Sequence, residues 1–322
     1  MTAISLSDVL DARERISGVI HRTPLIYSRT FTLISGVKVY LKLENLQKTG
    51  SFKIRGACNK VFSLSPEDGR KGVITASSGN HGQAVAYAAR MRGYDATVIM
   101  PECGSAAKAA SIKGYGAELL YCGTTSDQRI SLAKEMSAER GLTFVPPYDD
   151  PCVMAGQGSV GLEIMEDLED VAAVIVPTGG CGLISGVATA IKEKNPGASV
   201  FGVEPDGSNS TGISFRAGVR TALEDINTVA DGIRTTVPGE LTFPVVQRYV
   251  DDMLTVTDGD VLSAQRLMLE RCKLLAEPTG AVSLSAILSG ALPDKFKGRR
   301  VVALISGGNV SMSQLAEYLS AN

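Results

Sequence analysis

Short apolar runs alternate with helix-length segments along most of the chain. The runs are rich in β-branched residues, and Ala-rich segments such as residues 84–92 lie between them. The runs lie at residues 73–75, 97–100, 119–121, 143–145, 173–176, 200–203, 253–256 and 301–305. This alternation is typical of parallel strands joined by crossover helices. The pattern therefore predicts an α/β fold with two parallel-sheet domains.

Two further features set the predicted domain boundaries. Apolar residues occupy every second position from Val37 to Leu43, which predicts an early strand. The segment PPYDDPC, residues 146–152, is the strongest break, because proline continues neither a helix nor a central strand. We expect the chain to cross between domains there. The predicted large domain comprises residues 1–74 and 152–322, and the predicted small domain comprises residues 75–151.

Residues 171–191 contain no charge and are as long as a membrane-spanning helix. Pro177 and the glycines within this stretch argue against a continuous helix. The sequence therefore predicts a buried strand, a glycine turn and a packed helix.

The composition excludes several classes of protein. Lysine and arginine number 32, aspartate and glutamate number 34, and no single-sign block occurs, so binding to nucleic acid or a membrane surface has no electrostatic support. Six scattered cysteines, with only His21 and His81 as histidines, predict neither a disulfide framework nor a metal site. Asp8 and Asp11 interrupt the apolar stretch that a signal peptide would need, so we expect a cytoplasmic protein.

A glycine-rich segment, PTGGCGLISG, follows the apolar run at 173–176 and opens a helical segment. Backbone N–H groups at such a junction approach an anion at the positive end of the helix, so the expected ligand is a phosphate group. A plain tight turn is the alternative. Three of the glycines also come close to a dinucleotide-binding fingerprint in which Glu204 would bind a ribose, but their spacing is one residue too long.

The segment GSFKIRG, residues 50–56, places Lys53 between Phe52 and Ile54 and close to Arg55. Desolvation and a nearby positive charge both lower the pKa of a lysine, and a neutral amine is what Schiff-base chemistry requires. Taken by itself, this local sequence does not separate Lys53 from the other lysines, most of which must be solvated.

Two more polar segments follow predicted strands. In ASSGNHGQA, residues 76–84, Ser77, Ser78 and Asn80 supply hydroxyl and amide groups that suit a carboxylate at a helix N-terminus, while Gly79 permits close approach of the backbone. As an alternative, either serine caps the helix and His81 is structural. The fourth segment is SGGN, residues 306–309. Because the carboxyl ends of parallel strands face the ligand crevice, we expect these loops to converge on one site.

The four motifs, in this order, resemble those of the fold-type II pyridoxal-phosphate enzymes, specifically the serine/threonine dehydratase and serine racemase family, whose fold is tryptophan synthase β-like. The resemblance extends over nearly the whole chain. It implies that Lys53 forms the Schiff base with pyridoxal 5'-phosphate, beside Phe52. It also implies that Asn80 contacts the pyridine hydroxyl and that Ser306 faces the pyridine nitrogen. The phosphate-binding residues that it implies are Gly179, Gly180, Cys181, Gly182 and Leu183.

The resemblance also implies an activity. The large domain would bind the cofactor, and the small domain would hold the substrate carboxylate with Ser77, Ser78, Gly79, Asn80 and His81. Such an enzyme is a carbon–oxygen lyase that converts a 3-hydroxy amino acid, such as L-threonine or L-serine, to a 2-oxo acid and ammonia. The catalytic residues would be Lys53, which takes the Cα proton, and Ser78, which would serve a racemase as the acid on the opposite face. A homodimer is expected.

The sequence departs from the family pattern at two places. Cys181 stands where relatives usually carry a third consecutive glycine. Ser210 stands where cation-dependent relatives carry a second acid after Glu204, so no metal ion is expected. The chain continues for 13 residues after Asn309, which predicts a short form without an appended regulatory domain.

Several alternatives stay open at this point. A serine racemase and a 3-hydroxyaspartate dehydratase belong to the same family. A β-replacement enzyme shares the fold, a carrier would bind pyridoxal phosphate without turnover, and an NAD-dependent dehydrogenase is the most distant alternative. Arg129, Arg234 and Lys108 are candidates for binding a second substrate carboxylate.

Overall fold

The computed structural model describes residues 3–77, 79–102, 104–123 and 126–320 of the chain. The strands are β1 (Leu25–Tyr27), β2 (Lys38–Leu43), β3 (Val73–Ala76), β4 (Ala96–Met100), β5 (Glu118–Tyr121), β6 (Thr143–Phe144), β7 (Val171–Pro177), β8 (Ser199–Pro205), β9 (Asp252–Val256) and β10 (Arg300–Ile305). The helices are α1 (Leu6–Ile16), α2 (Arg29–Ser35), α3 (Lys53–Phe62), α4 (Pro66–Lys71), α5 (Asn80–Arg92), α6 (Ala106–Gly114), α7 (Ser126–Arg140), α8 (Pro151–Asp167), α9 (Gly182–Lys194), α10 (Ser210–Ala217), α11 (Thr242–Tyr249), α12 (Asp258–Leu267), α13 (Pro278–Leu288) and α14 (Met312–Ser320).

Two sheets organise these elements. The larger sheet has the strand order β1-β2-β10-β7-β8-β9 and is parallel except for β1, which pairs antiparallel with β2. The smaller sheet has the order β5-β4-β3-β6 and is parallel throughout. The prediction of an α/β fold with two parallel sheets and crossover helices is confirmed, and β1 is an addition that the pattern did not indicate.

Apolar side chains cover both faces of the larger sheet. Val39, Leu41 and Ala303 point to the face that α12 and α13 cover. Val302 and Leu304, which alternate with Ala303 along β10, point to the opposite face, where α8, α9 and α11 pack. A parallel sheet that is buried on both faces requires such continuous apolar strands. The carboxyl ends of these strands are consequently left as the accessible edge.

The smaller sheet draws its strands from residues 73–144. Val98 and Met100 face α5 and α6, whereas Ile74 and Ile99 face α7. Strand β3 begins at Val73, so the predicted boundary after residue 74 falls inside this strand. The division of the chain into a cofactor-binding and a substrate-holding domain stays a prediction.

The proline-rich segment carries the chain back from the smaller sheet to the larger one. The side chain of Asp150 caps α8 by accepting a hydrogen bond from the Val153 N–H, and Pro151 occupies the first helical position. Asp149 accepts hydrogen bonds from the N–H groups of Leu241 and Thr242 at the start of α11. These two acids fix the path of the crossing.

Residues 171–191 form β7, a glycine turn and most of α9, as the sequence predicted. Among the described residues, no helix is long and apolar enough to cross a membrane.

Candidate active site

Two of the sequence motifs meet at the carboxyl end of the larger sheet. Ser51 and Gly307 form an isolated antiparallel bridge. The Phe52 N–H donates to the Ser306 carbonyl oxygen at 3.0 Å, and the Gly308 N–H donates to the Gly50 carbonyl oxygen at 2.8 Å. The segment that follows β10 therefore lies directly against the segment that begins α3.

The side chain of Asn80 joins a third motif to these two. Its Nδ2 donates to Oε1 of Glu277 at 2.6 Å, and its Oδ1 accepts from Nδ2 of Asn309 at 2.9 Å. Nδ2 of Asn309 also donates to the Thr49 carbonyl oxygen at 2.8 Å. Helix α5 follows strand β3 of the smaller sheet. These bonds hold the start of this helix against the larger sheet.

Lys53 is the first residue of α3 and lies partly buried at this junction. Its Nζ donates to the Pro147 carbonyl oxygen at 2.8 Å and lies 5.1 Å from the centre of the Phe52 ring. Burial lowers the pKa of the amine to about 8, although the carboxylate of Glu277 acts in the opposite direction. At pH 7 about a tenth of the amine is consequently neutral, far more than for an ordinary lysine, and Schiff-base formation requires this neutral form.

Arg55 does not act on Lys53 as the sequence suggested. Its guanidinium is fully buried and forms bidentate pairs with Glu44 and Glu163, with N–O distances of 2.6–3.0 Å. Lys42 joins the same network through Glu163 at 2.6 Å. The two acids neutralise the arginine, so desolvation is what lowers the pKa of Lys53, and positive charge from Arg55 is not.

The glycine loop between β7 and α9 has the geometry of an anion site. Cys181 adopts the left-handed conformation, with φ at 71°, immediately before the first turn of α9. The first N–H groups of a helix have no acceptor within the helix. A Cβ atom on Gly180 would lie 2.4 Å from the Tyr148 ring, and one on Gly182 would lie 2.8 Å from Cβ of Tyr148. Glycine at both positions therefore lets the loop pack tightly against Tyr148.

The thiol of Cys181 is buried and lies within hydrogen-bond distance of two oxygen atoms. Its Sγ lies 3.2 Å from the Gly179 carbonyl oxygen and 3.2 Å from Oγ1 of Thr211. Burial raises the pKa of this thiol above its ordinary value. The side chain of Cys181 leaves the backbone N–H groups of the loop in place.

The loop before α5 supports a structural role for Ser77, and its role toward a substrate carboxylate stays a prediction. Oγ of Ser77 accepts from the N–H groups of Gly79, the N-cap residue, and of Gly82 in the first turn, at 3.1 and 2.9 Å, so Ser77 stabilises the start of α5. Ser78 lies outside the described residues. His81 is bonded through Nε2 to the Val145 carbonyl oxygen at 3.0 Å. Burial, followed by the positive charge of Lys53, lowers the pKa of His81 to about 3, so this histidine is neutral.

Ser306 is buried and lies directly after β10. Its hydroxyl donates to the Thr279 carbonyl oxygen at 3.4 Å, a long and weak hydrogen bond. The hydroxyl is therefore available for a stronger partner.

Sequence reasoning missed Glu277, which is buried in the centre of the cluster. Burial raises the pKa of its carboxyl to about 7. Its Oε2 and the hydroxyl of Ser51 have no hydrogen-bond partner among the described residues. A lone acid between the apolar residues 274–276 and Pro278 was the only local signal.

Most of the remaining candidates are bonded to other residues of the chain. Glu204 accepts from the N–H groups of Thr211 and Gly212 at 3.0 and 2.7 Å, which occupies the carboxylate that a ribose would need. Arg234 donates to the Thr228 carbonyl oxygen. Of the other two basic candidates, Lys108 pairs with Asp231 and Arg129 is buried in α7. Ser210, which was the reason to expect no metal ion, donates to the Thr235 carbonyl oxygen.

Known proteins resemble this chain over nearly its full length. The L-threonine ammonia-lyase of Thermotoga maritima is 44% identical over 317 residues, which cover 98% of this chain and 78% of that protein. The structure of maize serine racemase matches with a TM-score of 0.94 at 36% identity, covering 98% of this chain and 97% of that one. The serine racemase of Dictyostelium discoideum matches with a TM-score of 0.91 at 41% identity, covering 97% and 100%. The threonine deaminase of Solanum lycopersicum, in its processed form, matches with a TM-score of 0.93 at 36% identity, covering 98% and 92%.

The residues present fit pyridoxal 5'-phosphate. The amine of Lys53 is desolvated, the glycine loop leaves backbone N–H groups at a helix N-terminus, and the buried Ser51 hydroxyl lacks a partner among the described residues. Residues 16–307 match the family model for pyridoxal-phosphate dependent enzymes. The chain therefore belongs to the family of pyridoxal-phosphate dependent enzymes, of the fold type that serine racemase and threonine deaminase share.

Proposed function

We propose that this enzyme is an ammonia-lyase that converts 3-hydroxy amino acids, L-threonine foremost, to a 2-oxo acid and ammonia. The observation that carries the proposal is the position of Lys53, whose amine is desolvated where three motifs meet. The 44% identity to an L-threonine ammonia-lyase supports the choice of substrate.

The cofactor would be held at three places. Lys53 would bind it covalently, with Phe52 beside it. Asn80 and Ser306 would contact the pyridine hydroxyl and nitrogen. The phosphate would lie on the N–H groups of the glycine loop, residues Gly179, Gly180, Cys181, Gly182 and Leu183. When bound, pyridoxal phosphate supplies the electron withdrawal that weakens the Cα–H bond of an attached amino acid.

Lys53 is the proposed base. Once the substrate takes its place on the cofactor, the amine is free to accept the Cα proton, and its pKa of about 8 suits this task at neutral pH. The Pro147 carbonyl oxygen, 2.8 Å from Nζ, orients the amine. Together with this proton, the β-hydroxyl would leave as one molecule of water. The enamine that remains would tautomerise to an imine, which water would hydrolyse to the 2-oxo acid and ammonia.

The substrate carboxylate would lie at the start of α5. Ser77 fixes the turn there, and the free N–H groups of the first helical turn, at Asn80 and His81, are suitable donors. Ser78 and Gly79 complete the proposed carboxylate site. A second role for Ser78, as the acid that a racemase needs, stays a proposal that the similarity to maize serine racemase supports.

Ser306 would present a neutral residue to the ring nitrogen, which would favour elimination. Its hydroxyl cannot stabilise a protonated ring nitrogen as a carboxylate would. Less charge would then be drawn into the ring, which would favour expulsion of the β-hydroxyl over transfer of the amino group.

The test follows product release from the purified holoenzyme. L-Threonine, L-serine and 3-hydroxyaspartate are supplied separately, and ammonia, 2-oxo acid and D-serine are measured. We expect a visible absorption band that Lys53→Ala abolishes, and oxo acid from at least one substrate, with the exposed Lys113→Ala as control. D-Serine as the main product would favour the racemase, and no turnover of any substrate would refute the lyase.

We further propose a cytoplasmic homodimer. The described cysteines without a disulfide support a reducing compartment: Cys58, Cys122, Cys152, Cys181 and Cys272. Tyr27, Leu33 and Ile34 are large apolar residues that are 50%, 75% and 54% exposed on β1 and α2, which supports a surface that another subunit covers. Sedimentation should give twice the chain mass, and Leu33→Asp should shift it toward the monomer. A monomeric wild type would refute the dimer.

A further inference from the structure

Lys108 crosses from the layer of the smaller sheet to the layer of the larger one. It lies on α6, and its Nζ donates to Oδ2 of Asp231 at 2.9 Å. Asp231 belongs to the long connection between β8 and β9. The lysine side chain is only 10% exposed, so this ion pair is shielded from water and from salt more than a surface pair would be.

The aliphatic part of Lys108 lies against Gly79. A Cβ atom added to Gly79 would be 2.3 Å from Cδ and 3.1 Å from Cε of Lys108. The lysine therefore passes directly over the backbone of the substrate loop, defined here as residues 77 and 79–81. Any larger residue at position 79 would displace the lysine or the loop.

The ammonium group of Lys108 lies among polar and acidic residues of the larger sheet's layer. Asp231, Glu277, Asn309 and Tyr318 line the same small pocket. Burial by itself would lower the pKa of Lys108, but Asp231 and then Glu277 outweigh it, so the pKa lies above its ordinary value. The lysine stays charged at every pH at which the enzyme would be assayed.

The substrate loop is thereby held on two sides. On one side, Asn80 donates to Glu277 at 2.6 Å. On the other, Gly79 packs under the stem of Lys108, whose head is bonded to Asp231. Both connections reach residues of the larger sheet's layer. Without the contact between Gly79 and Lys108, the loop backbone could rotate about the hydrogen bond between Asn80 and Glu277.

We propose that Lys108 is a positioning residue that fixes the substrate loop against the cofactor-binding layer and so sets the affinity for the substrate carboxylate. The inference rests on the proposed function, because that function places the carboxylate at this loop. Lys108 acts through the loop backbone and its own ammonium is committed to Asp231, so it does not contact the substrate.

The kinetic test compares four variants of the holoenzyme. Lys108→Met and Asp231→Asn each break the ion pair, Lys108→Arg retains a cation, and Lys113→Met makes the same change on an exposed position of the same helix. We expect Lys108→Met and Asp231→Asn to raise KM for L-threonine about ten-fold, with kcat within about three-fold of the wild-type value. Such a result would mean that the substrate and the transition state are bound more weakly by the same amount. The arginine variant should recover most of the affinity, and Lys113→Met should match the wild type.

A double variant tests whether the two residues act together. Lys108→Met combined with Asp231→Asn should raise KM no more than either single change, because residues of one interaction are not additive. A ten-fold effect of each that multiplies to a hundred-fold would refute a shared role. A fall in kcat at unchanged KM would also refute the proposal, since it would place Lys108 in the chemical step.

Hydrogen exchange provides a measurement that does not depend on turnover. In the holoenzyme without substrate, the amides of residues 79–82 should exchange at least about five-fold faster in Lys108→Met than in Lys113→Met, because local opening has become easier. If the wild type turns over no hydroxy amino acid, the proposed function fails, whereas faster exchange would still support the coupling of the loop to Asp231. Unchanged exchange together with unchanged KM would overturn the inference. If Lys108→Met does not fold, the same two measurements are made on Asp231→Asn, which breaks the same ion pair.

Discussion

The buried network around Arg55 gives the sharpest prediction of stability. The guanidinium makes four hydrogen bonds to the carboxylates of Glu44 and Glu163. Arg55 and Glu44 are fully buried, and the side chain of Glu163 is only 7% exposed. Lys42 is the other cation of the network. Replacing Arg55 by methionine therefore leaves two buried carboxylates, of which Glu163 keeps its ion pair with Lys42.

The magnitude follows from the imbalance of charge. Removing one partner of a buried ion pair costs about 3–5 kcal/mol, because the remaining charge is neither solvated nor paired. Lys42 still neutralises Glu163 in part, so we expect Arg55→Met to lower the free energy of unfolding by about 4 kcal/mol at neutral pH. Since α3 begins at Lys53, the same change disturbs the support of the cofactor lysine.

The penalty should depend on pH. In the wild type, burial alone would raise the pKa of Glu163, but Arg55 and Lys42 outweigh it and hold the pKa below its ordinary value. The stability that this carboxylate contributes is fully present above its unfolded pKa and is lost only as pH falls through the lower folded value. In Arg55→Met, burial dominates and the pKa of Glu163 rises. The variant then gains stability as pH falls, and its penalty should shrink by about 1 kcal/mol between about pH 7.5 and 5.5.

Urea unfolding of the cofactor-free protein, followed by circular dichroism, measures both effects, because bound cofactor would mask part of the loss. The control is Arg13→Met, which breaks the ion pair with Glu166 at a side chain that is 41% exposed. That change should cost less than about 1 kcal/mol. A cost for Arg55→Met no larger than the control, or one that is the same at both pH values, would refute the reasoning.

Three further predictions concern the cofactor pocket. Cys181→Gly should be more stable than Cys181→Ala by about 1 kcal/mol in urea unfolding, because φ at 71° favours glycine; the opposite order would contradict the left-handed conformation. Gly180→Ala should weaken pyridoxal phosphate binding about ten-fold in a fluorescence titration, since its Cβ would lie 2.4 Å from the Tyr148 ring, whereas Gly114→Ala, with open space around its Cβ, should bind like the wild type. In the cofactor-free protein, the labelling rate of Lys53 by an amine reagent should rise through about pH 8, because the protonated amine is unreactive below it; a midpoint near the ordinary 10.5 would show that the amine is not desolvated.

Local patterns were sufficient to predict most of the fold. Strand β7 is buried along its whole length, and a strand covered on both faces must be apolar at every position, which makes it visible as a run. The glycine turn after it marked where the strand ends. Strand β1 is only three residues long and exists through its pairing with β2, so no run in the sequence revealed it. For residues 171–191, the sequence correctly predicted a strand, a turn and a helix in place of one long helix, because proline and glycine interrupt this stretch.

The motifs likewise pointed to the region of the site, but not to all of its members. Glu277 is 197 residues from Asn80 in the chain, and Lys108 is 123 residues from Asp231. Asp231 has no local pattern that distinguishes it from a solvated surface residue, and Glu277 has only the apolar residues 274–276 before it. Their importance comes from burial and from partners that only folding supplies.

Arg55 shows most clearly what each level determines. The sequence by itself determined most of the order of strands and helices, with β1 as an exception. It also determined the loops at the carboxyl ends of the strands and the lysine in the segment of residues 50–56. It also placed a positive charge two residues from Lys53, and from that alone the charge should lower the pKa of the amine. In the tertiary structure the pKa of the amine is lowered for a different reason. Glu44 and Glu163 neutralise Arg55, and burial desolvates Lys53. The effect of a charge depends on its neighbours in space and on the water they exclude, and neither is written in the spacing of residues along a chain.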